Sequence, residues 1–396
     1  MVNKTLSFLY ITICQIKEVI KMFTLQDCYE YVEKGLLTKH ESTDGKLVGF
    51  KYSLDTVYGQ KWDEITLSCR GIAFEKETGK IVAWPFNKFF NYQEIYAQDG
   101  SLAHIGKILN EIDGWRPFTS KQYTIAEKVD GSLGIAYFYE GEWHVKTGGS
   151  FNSDQAIWAT NYLRNNLNTF VMLEDVTYCF EIVYKADPHV VHYDKEELVL
   201  LSAFDTQKHD EVSSVIMPLL AKELGCRYVK EYHYSTLEET LEAVSKMDVN
   251  HEGVVMTFYN SYGDYFKVKI KSEEYLEMFH RMSCITYKEI RDHFNEELGI
   301  VDPEYAKTIP EELTSMKEYV ERINTSVATK FIVVVEIGEY ASKIEDARTR
   351  YEYVSNHAGA LTGATMAYIK MLISNGKKSA VYHSIFQRVK TELKEE

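Results

Sequence analysis

The chain has 396 residues, a formal net charge of −15, 45% hydrophobic and 26% charged residues, and 6 prolines. That length holds two domains or one large one, and the composition is that of a globular chain without long disordered linkers. The acidic total does not announce a nucleic-acid partner, which would need a local basic groove on an acidic body. Cys14, Cys28, Cys69, Cys179, Cys226 and Cys284 are scattered without a C-x-x-C pair. This excludes a zinc ribbon or a disulfide framework and suits a reducing cytoplasm.

Residues 1–22 are expected to be an extension. Leu6–Cys14 is apolar but too short to span a membrane, and Gln15-Ile16-Lys17-Glu18 follows it where a signal peptide would carry a small-residue cleavage site. Met22 is an alternative start, and a short amphipathic helix is the other reading. Leu25, Cys28, Tyr29 and Val32 then fall at helical spacing, and Gly35 ends the helix predicted over Phe23–Lys34. Glu41–Gly49 reads as a polar turn region. Val48–Leu54, Ile65–Glu75 and Ile81–Trp84 read as strands, with Glu77-Thr78-Gly79-Lys80 as a hairpin turn. Arg70, alone, reads as an exposed strand arginine. Lys88, beside Phe89-Phe90, reads as a snorkelling lysine or a phosphate contact.

A weak helix is predicted over Ser101–Glu111. Tyr123–Ala126 and Leu133–Tyr137 read as strands around Lys128-Val129-Asp130-Gly131-Ser132. Asp-Gly between two apolar runs signals a hairpin. That leaves unexplained a lysine at the mouth of an apolar strand, where it can serve as a nucleophile if nearby cations or desolvation make its ammonium acidic. Trp143–Lys146 returns as a strand, and Thr147-Gly148-Gly149-Ser150 permits close backbone approach. A helix is predicted over Asp154–Asn166. Thr177–Tyr184 is a buried strand interrupted by Glu181, a costly place for a carboxylate. Leu198–Phe204 is another buried strand, and Met217–Leu224 and Thr236–Lys246 read as helices. Glu252-Gly253 opens a short apolar strand. In Tyr265–Ser272, lysine alternates with apolar residues, placing Lys267, Lys269 and Lys271 on one face, which read alone is a solvated edge strand. From Glu273 the pattern becomes helical: Glu273–Leu298, then a run from Leu313 to Val334 at steps of three and four, with Phe331–Ile337 apolar all round as in a buried helix. Thr365–Ser374 and Ser379–Lys394 complete it.

The ordered set Arg70-Gly71, Lys128-x-Asp130-Gly131, Phe180-Glu181, Glu252-Gly253 and Lys269-x-Lys271 resembles the covalent nucleotidyltransferase superfamily of ligases and capping enzymes. The flanks CRGIAFE, NKFFN, EKVDGSL, LVLLSAFD, HEGVV and KIKS are similar to the phage-type RNA ligase 1 family, over most of residues 23–280. The resemblance implies an α+β fold: a nucleotidyltransferase domain of antiparallel sheets flanked by helices over residues 23–272, then an all-helical domain over residues 273–396. It implies an ATP-dependent RNA ligase with Mg²⁺ or Mn²⁺, joining RNA 5′-phosphate and 3′-hydroxyl ends, with cleaved tRNA as the expected substrate. The expected enzyme is cytoplasmic, monomeric and not membrane-bound. By the same resemblance Lys128 is the nucleophile that becomes lysyl-AMP, with Lys269 and Lys271 catalytic beside it. Arg70, Lys88, Asp130, Gly131, Lys146, Glu181, Glu252, Lys269 and Lys271 would bind ATP, with Glu181 on the ribose hydroxyls and Glu252 associated with the metal.

The chemistry fits the residue types. A free lysine with pKa near 10.4 is protonated at neutral pH. Arg70, Lys88, Lys269, Lys271 and a divalent metal would disfavour that charge and would stabilise charge on phosphates. Two departures stand out. The family usually has a basic residue where this chain has Gly148, with Lys146 the nearest lysine, and the loop Asp187–His192 lacks the family's Asn-Arg. His189 and His192 without a third ligand read as structural. The alternatives are a DNA ligase or mRNA capping guanylyltransferase, which would append the strands of an OB-fold, and a non-catalytic RNA end-binding protein.

Overall fold

The structure, a computed structural model, describes residues 23–185, 189–261, 264–310 and 313–393. The extension at 1–22 and residues Asp187 and Pro188 of the loop lie outside them. The chain divides into two compact units, one ending at Leu276 and one running from Glu277.

Thr24 starts the first helix, Leu25–Glu33, with a reciprocal cap: its hydroxyl accepts from Asp27 N while the Asp27 carboxylate accepts from Thr24 N at 2.7 Å. Strands β1 (Leu37–Glu41), β2 (Leu47–Tyr52), β3 (Arg70–Glu75) and β4 (Ile81–Ala83) follow as an antiparallel sheet in sequence order. The strand expected from Ile65 begins only at Arg70. Asp63 caps a helix over Glu64–Ser68 by accepting from Thr66 N, and the Thr66 hydroxyl accepts from Asp63 N. That local cap outweighs the β preference of Ile65 and Thr66.

Next come β5 (Phe90–Asn91), β6 (Gln122–Glu127), β7 (Ser132–Tyr139), β8 (Glu142–Thr147), β9 (Val176–Val183), β10 (Glu197–Asp205), β11 (Arg227–Tyr228), β12 (Glu231–Tyr232), β13 (Gly253–Tyr259) and β14 (Tyr265–Lys271). They form two five-stranded sheets, ordered β11-β10-β9-β7-β8 and β12-β6-β13-β14-β5. The hairpin reading of Lys128–Ser132 is therefore wrong. Its flanking strands belong to different sheets, and the segment carries the chain from one to the other. Tertiary contacts override the Asp-Gly turn signal. Lys128 N donates to Gly253 O at 3.0 Å, and Asp130 N donates to Tyr193 Oη at 2.9 Å. A Cβ on Gly131 would lie 2.6 Å from Ile182 O and 2.8 Å from Glu181 Cγ.

Each sheet packs one face on helices. Tyr178, Phe180 and Ile182 of β9 join Leu198 and Leu200 of β10 against Leu163, Leu220 and Leu224 from the helices Asp154–Asn166 and Met217–Leu224. Val254, Met256 and Phe258 of β13 and Val268 and Ile270 of β14 pack with Ile105, Leu109 and Val244. Because side chains alternate along a strand, Glu181, Val255, Thr257, Lys267, Lys269 and Lys271 are turned to the opposite faces. Nor is β14 an outer, solvated strand: it lies between β13 and β5.

The helix expected over Glu273–Leu298 is broken. It runs Glu273–Cys284 and restarts at Tyr287–Asp292, where the Thr286 hydroxyl accepts from Glu289 N. A two-residue ladder, Phe294–Asn295 with Ile300–Val301, then turns through Gly299 at φ +75°. The long helix Thr314–Ala341 buries Ile323, Val327 and Val334 against Tyr368, Val381 and Ile385 of the helices Thr362–Ser374 and Lys378–Glu392. It is not buried all round, since Ile332 is 59% exposed. Beyond β14 the described residues hold that one short ladder and helices, the helical region that the family resemblance implies. No helix among them is long and apolar enough to cross a membrane.

Gly253 adopts φ +137°, and a Cβ there would sit 2.1 Å from Ile270 O. Gly253→Ala is expected to destabilise the first unit by about 1–3 kcal/mol or more. Gly148→Ala, whose Cβ would meet only Arg70 O at 3.8 Å, should be near neutral. Thermal melts of both variants check this.

Candidate active site

The two five-stranded sheets enclose a cavity of about 750 Å³, within the roughly 300–1,000 Å³ range of small-molecule sites. Strand register arranges one wall in layers: Ala126, Val255 and Lys269 are aligned across β6, β13 and β14, and Thr124, Thr257 and Lys267 form the next row. Lys128 and Lys271 stand at one end of these rows. Glu181, Leu201, Phe86, Phe89 and Arg70 face them.

Glu252 is 3% exposed, and its carboxylate is shared by two cations: Lys128 Nζ donates to Oε2, and Lys271 Nζ lies 2.8 Å from Oε1. The nucleophile candidate is thus held in an ion pair, a partner that the sequence reading did not give it. Lys267 is also paired, to Glu211 Oε1 at 2.9 Å, and Ser202 donates to the same oxygen at 2.6 Å. The three alternating lysines therefore do not act alike. Lys269 makes no ion pair among the described residues. Burial, then the charges of Lys88, Arg70, Lys128 and Lys271, lower its pKa to about 7. Cationic crowding is thus felt at Lys269.

Glu181 has no hydrogen-bond or ion-pair partner among the described residues. Burial pushes its carboxyl up to about 7, partly offset by Lys128. Arg70 lays its guanidinium over the Phe89 ring at 4.9 Å, and its Nη1 is buried without an acceptor. A buried donor with no acceptor is costly unless a ligand supplies one. Lys88 sits among the rings of Tyr52, Trp62 and Phe90, with its ammonium lowered to about 8 by burial and by Arg70.

Of the predicted ligand residues, Lys88, Asp130, Lys146 and Glu252 are not part of the cavity lining, although Glu252 pairs with the lining residues Lys128 and Lys271. Asp130 does not line the cavity: its Oδ1 accepts from Tyr275 Oη at 2.9 Å and its Oδ2 from Val191 N at 3.0 Å, so it bolts the crossing segment to its neighbours. Gly131 does line it. Lys146 is fully buried and donates to Gly71 O at 3.0 Å and Thr147 O at 2.8 Å, outside the cavity lining. Packing requires glycine at 71, where a Cβ would lie 3.0 Å from Gly148 Cα, whereas a Cβ on Gly148 would meet only Arg70 O at 3.8 Å. His189 lies 3.8 Å from Asp130 Oδ1, and no cluster of three or more His, Cys, Asp or Glu suited to a metal occurs among the described residues. Sequence reasoning missed the Glu211–Ser202 partner of Lys267 and the Tyr275 partner of Asp130. Glu211 lies in the polar run Gln207–Glu211, which carries no periodic signal.

Residues 68–275 match the family model described as RNA ligase. The chain belongs to that family, of the phage RNA ligase 1 type. It is 25% identical over 375 residues to an RNA ligase of Rhodothermus phage RM378, covering 79% of this chain and 82% of the phage protein. It is 27% identical over 237 residues to a putative bifunctional polynucleotide kinase/RNA ligase of Autographa californica nuclear polyhedrosis virus, covering 55% of this chain but only 32% of the viral one. The chain thus spans about a third of that relative's length. Among solved structures, an archaeal ATP-dependent RNA ligase aligns with TM-score 0.45 and 12% identity, covering 84% of this chain and 85% of the other. A putative ATP-dependent DNA ligase from Aquifex aeolicus aligns with TM-score 0.42 and 14% identity, covering 84% and 87%.

Burial lowers the Lys146 ammonium to about 7, and Lys51 adds to the effect. The unfolded chain keeps that lysine protonated up to about pH 10.4, so the unfolded state binds more protons above pH 7 and stability rises with pH there. Denaturant titrations should show wild type gaining stability relative to Lys146→Met between pH 7 and 9. Nearby His40, held down to about 3, does not titrate in that window.

Proposed function

We propose that this protein is an ATP-dependent RNA ligase that works through a covalent lysyl-AMP on Lys128 and joins 5′-phosphate to 3′-hydroxyl ends, in the repair of cleaved tRNA. The observation that carries this reading is the convergence of Lys128, Glu181, Lys269, Lys271 and Arg70 around one cavity, with Glu252 pairing Lys128 and Lys271 behind its lining.

ATP would enter with its α-phosphorus at Lys128. The reactive amine is the unprotonated one, so attack requires Lys128 to leave its ion pair with Glu252 and give up a proton. A new N–P bond forms as the bond from the α-phosphorus to the bridging oxygen breaks, and pyrophosphate departs with its electron pair. Arg70, Lys269 and Lys271 lie where negative charge accumulates on the phosphates, and the Arg70 Nη1 without an acceptor supplies a ready donor. Glu181 would accept from ribose hydroxyls, for which an unpartnered carboxylate is suited. An oxygen of the RNA 5′-phosphate then displaces Lys128 from the adenylate, and the 3′-hydroxyl displaces AMP to seal the strand.

Glu252 would be the carboxylate associated with Mg²⁺ or Mn²⁺, through metal-bound water. The fit is with a hard ion that keeps most of its waters and uses one or two carboxylates together with substrate phosphates. When bound, it would neutralise phosphate charge. The helical second unit is where tRNA selection is proposed to lie. The family match supports RNA over the DNA-ligase and capping alternatives, and the intact lysine–glutamate set opposes the non-catalytic one.

Incubation with ATP and Mg²⁺ should add the mass of one AMP, mapped to the peptide carrying Lys128, and Lys128→Ala should remove it. Wild type left unmodified, or a labelled alanine variant, would defeat the proposal. Cleaved tRNA should be sealed in preference to nicked DNA.

Lys269 at about 7 is substantially neutral in the open cavity, and a triphosphate would raise it. ATP binding should therefore take up protons between about pH 7 and 9. Calorimetry in buffers of different ionisation enthalpy reads that uptake, and Lys269→Met should reduce it.

A further inference from the structure

Lys51 and Lys88 lie outside the cavity lining beside the lining residue Arg70, and among the described residues no carboxylate forms an ion pair with any of the three. Lys51 and Arg70 are partners in the β2–β3 ladder, so their side chains leave the same face. Lys51 Nζ lies 6.0 Å from the Tyr52 ring centre and Lys88 Nζ 5.6 Å from it. Lys88 is in turn electrostatically coupled to Arg70, Lys51 and Lys271. Among the described residues Lys51, Arg70 and Lys88 form no ion pair. The carboxylate acting on Lys88 is Glu94, and it already accepts from Asn91 N at 2.7 Å. By contrast, Lys128 and Lys271 share Glu252, and Lys267 has Glu211.

Half-buried cations held side by side repel one another and lose hydration, an arrangement that an anion would relieve. The row Lys269, Arg70, Lys88, Lys51 leads out of the cavity along the β2–β3 sheet. Lys51 was not singled out by its sequence, where it is one lysine before a tyrosine. We propose that Lys51 is a substrate-binding residue that contacts a phosphate projecting from the cavity, with Arg70 and Lys88 on either side of that phosphate path. This rests on the ligase reading for the identity of the phosphate. It is the β,γ end of the nucleoside triphosphate or the terminal phosphate of the RNA.

Gly148 offers an independent handle. A Cβ there would meet only Arg70 O at 3.8 Å, and its φ is not in the left-handed region. A lysine at this position can therefore return a positive charge beside Arg70 without backbone strain. Calorimetric titrations of wild type, Lys51→Met, Lys51→Arg and the double variant Lys51→Met/Gly148→Lys would use three probes: inorganic tripolyphosphate, AMP, and a short oligoribonucleotide with and without its 5′-phosphate. Loss of one charged contact should weaken binding about tenfold.

Weakening of tripolyphosphate by Lys51→Met, with AMP unchanged, assigns the triphosphate tail. Weakening only of the 5′-phosphorylated oligonucleotide assigns the RNA end. Arginine at 51 and lysine at 148 should each restore most of the affinity. Equal affinities in wild type and Lys51→Met for every probe, or an equal loss for AMP, would overturn the proposal. These titrations need no turnover, so a failure of lysine adenylylation in wild type would sink the ligase reading and leave the phosphate contact separately decided.

Discussion

The first unit depends on one buried carboxylate. Glu252 precedes β13, Lys128 leaves β6, and Lys271 ends β14, so the three lie at the same end of adjacent strands. A carboxylate at 3% exposure is tolerable only because both of its oxygens are paired. That pairing fixes the height of the lysine that would act as nucleophile. The main chain enforces it as well, since Lys128 N donates to Gly253 O and Gly253 has no room for a side chain. The ion pair and the glycine are two halves of one constraint, which places an amine at the mouth of a cavity and holds it there.

Charge is then distributed by partner rather than by number. The chain is strongly acidic, yet its cavity end collects Arg70, Lys88, Lys128, Lys269 and Lys271. Carboxylates are supplied to some and withheld from others. Glu252 is committed to Lys128 and Lys271, and Glu211 to Lys267. Among the described residues Lys269 is left without one, and burial with its cationic neighbours lowers its pKa to about 7. Glu181, the remaining carboxylate at this end, is itself pushed towards neutrality by burial. The result is a site whose positive charge is incomplete until an anion enters, which is the property that a nucleotide-binding cleft needs.

Much of this was legible in the sequence, and the failures have a common cause. The family resemblance, read from motifs in fixed order, pointed to Lys128, Glu181, Glu252 and Lys269-x-Lys271, and alternation along a strand put Lys269 and Lys271 on one face. What alternation cannot decide is which strand comes next in space. Asp130-Gly131 looked like a hairpin, whereas the chain crosses between sheets because Gly131 must pass Ile182 and Asp130 is anchored to Tyr275 and Val191. Ile65–Ser68 looked extended until the Asp63 cap was seen. Phe331–Ile337 looked buried all round, but apolar character does not ensure burial, and Ile332 is 59% exposed. Lys146 was placed near phosphate by its neighbours in sequence, yet it is turned inward, onto Gly71 O.

The difference between the two kinds of charged residue explains which parts of the pattern can drift. A carboxylate paired with two ammonium groups works through contacts of hydrogen-bond length, so Glu252 has to be where it is to within a fraction of an ångström. A cation that attracts a phosphate works through a field that falls slowly in a poorly solvated cleft, so it can be delivered from a neighbouring strand at some cost in geometry but little in energy. Position 148 shows the consequence. Glycine at 71 lets β3 run close to the turn after β8, against Gly148, and the positive charge near Arg70 comes instead from side chains on β2 and on the segment before β5. Close packing of backbone at one point and long-range attraction at another are compatible because they draw on different distances.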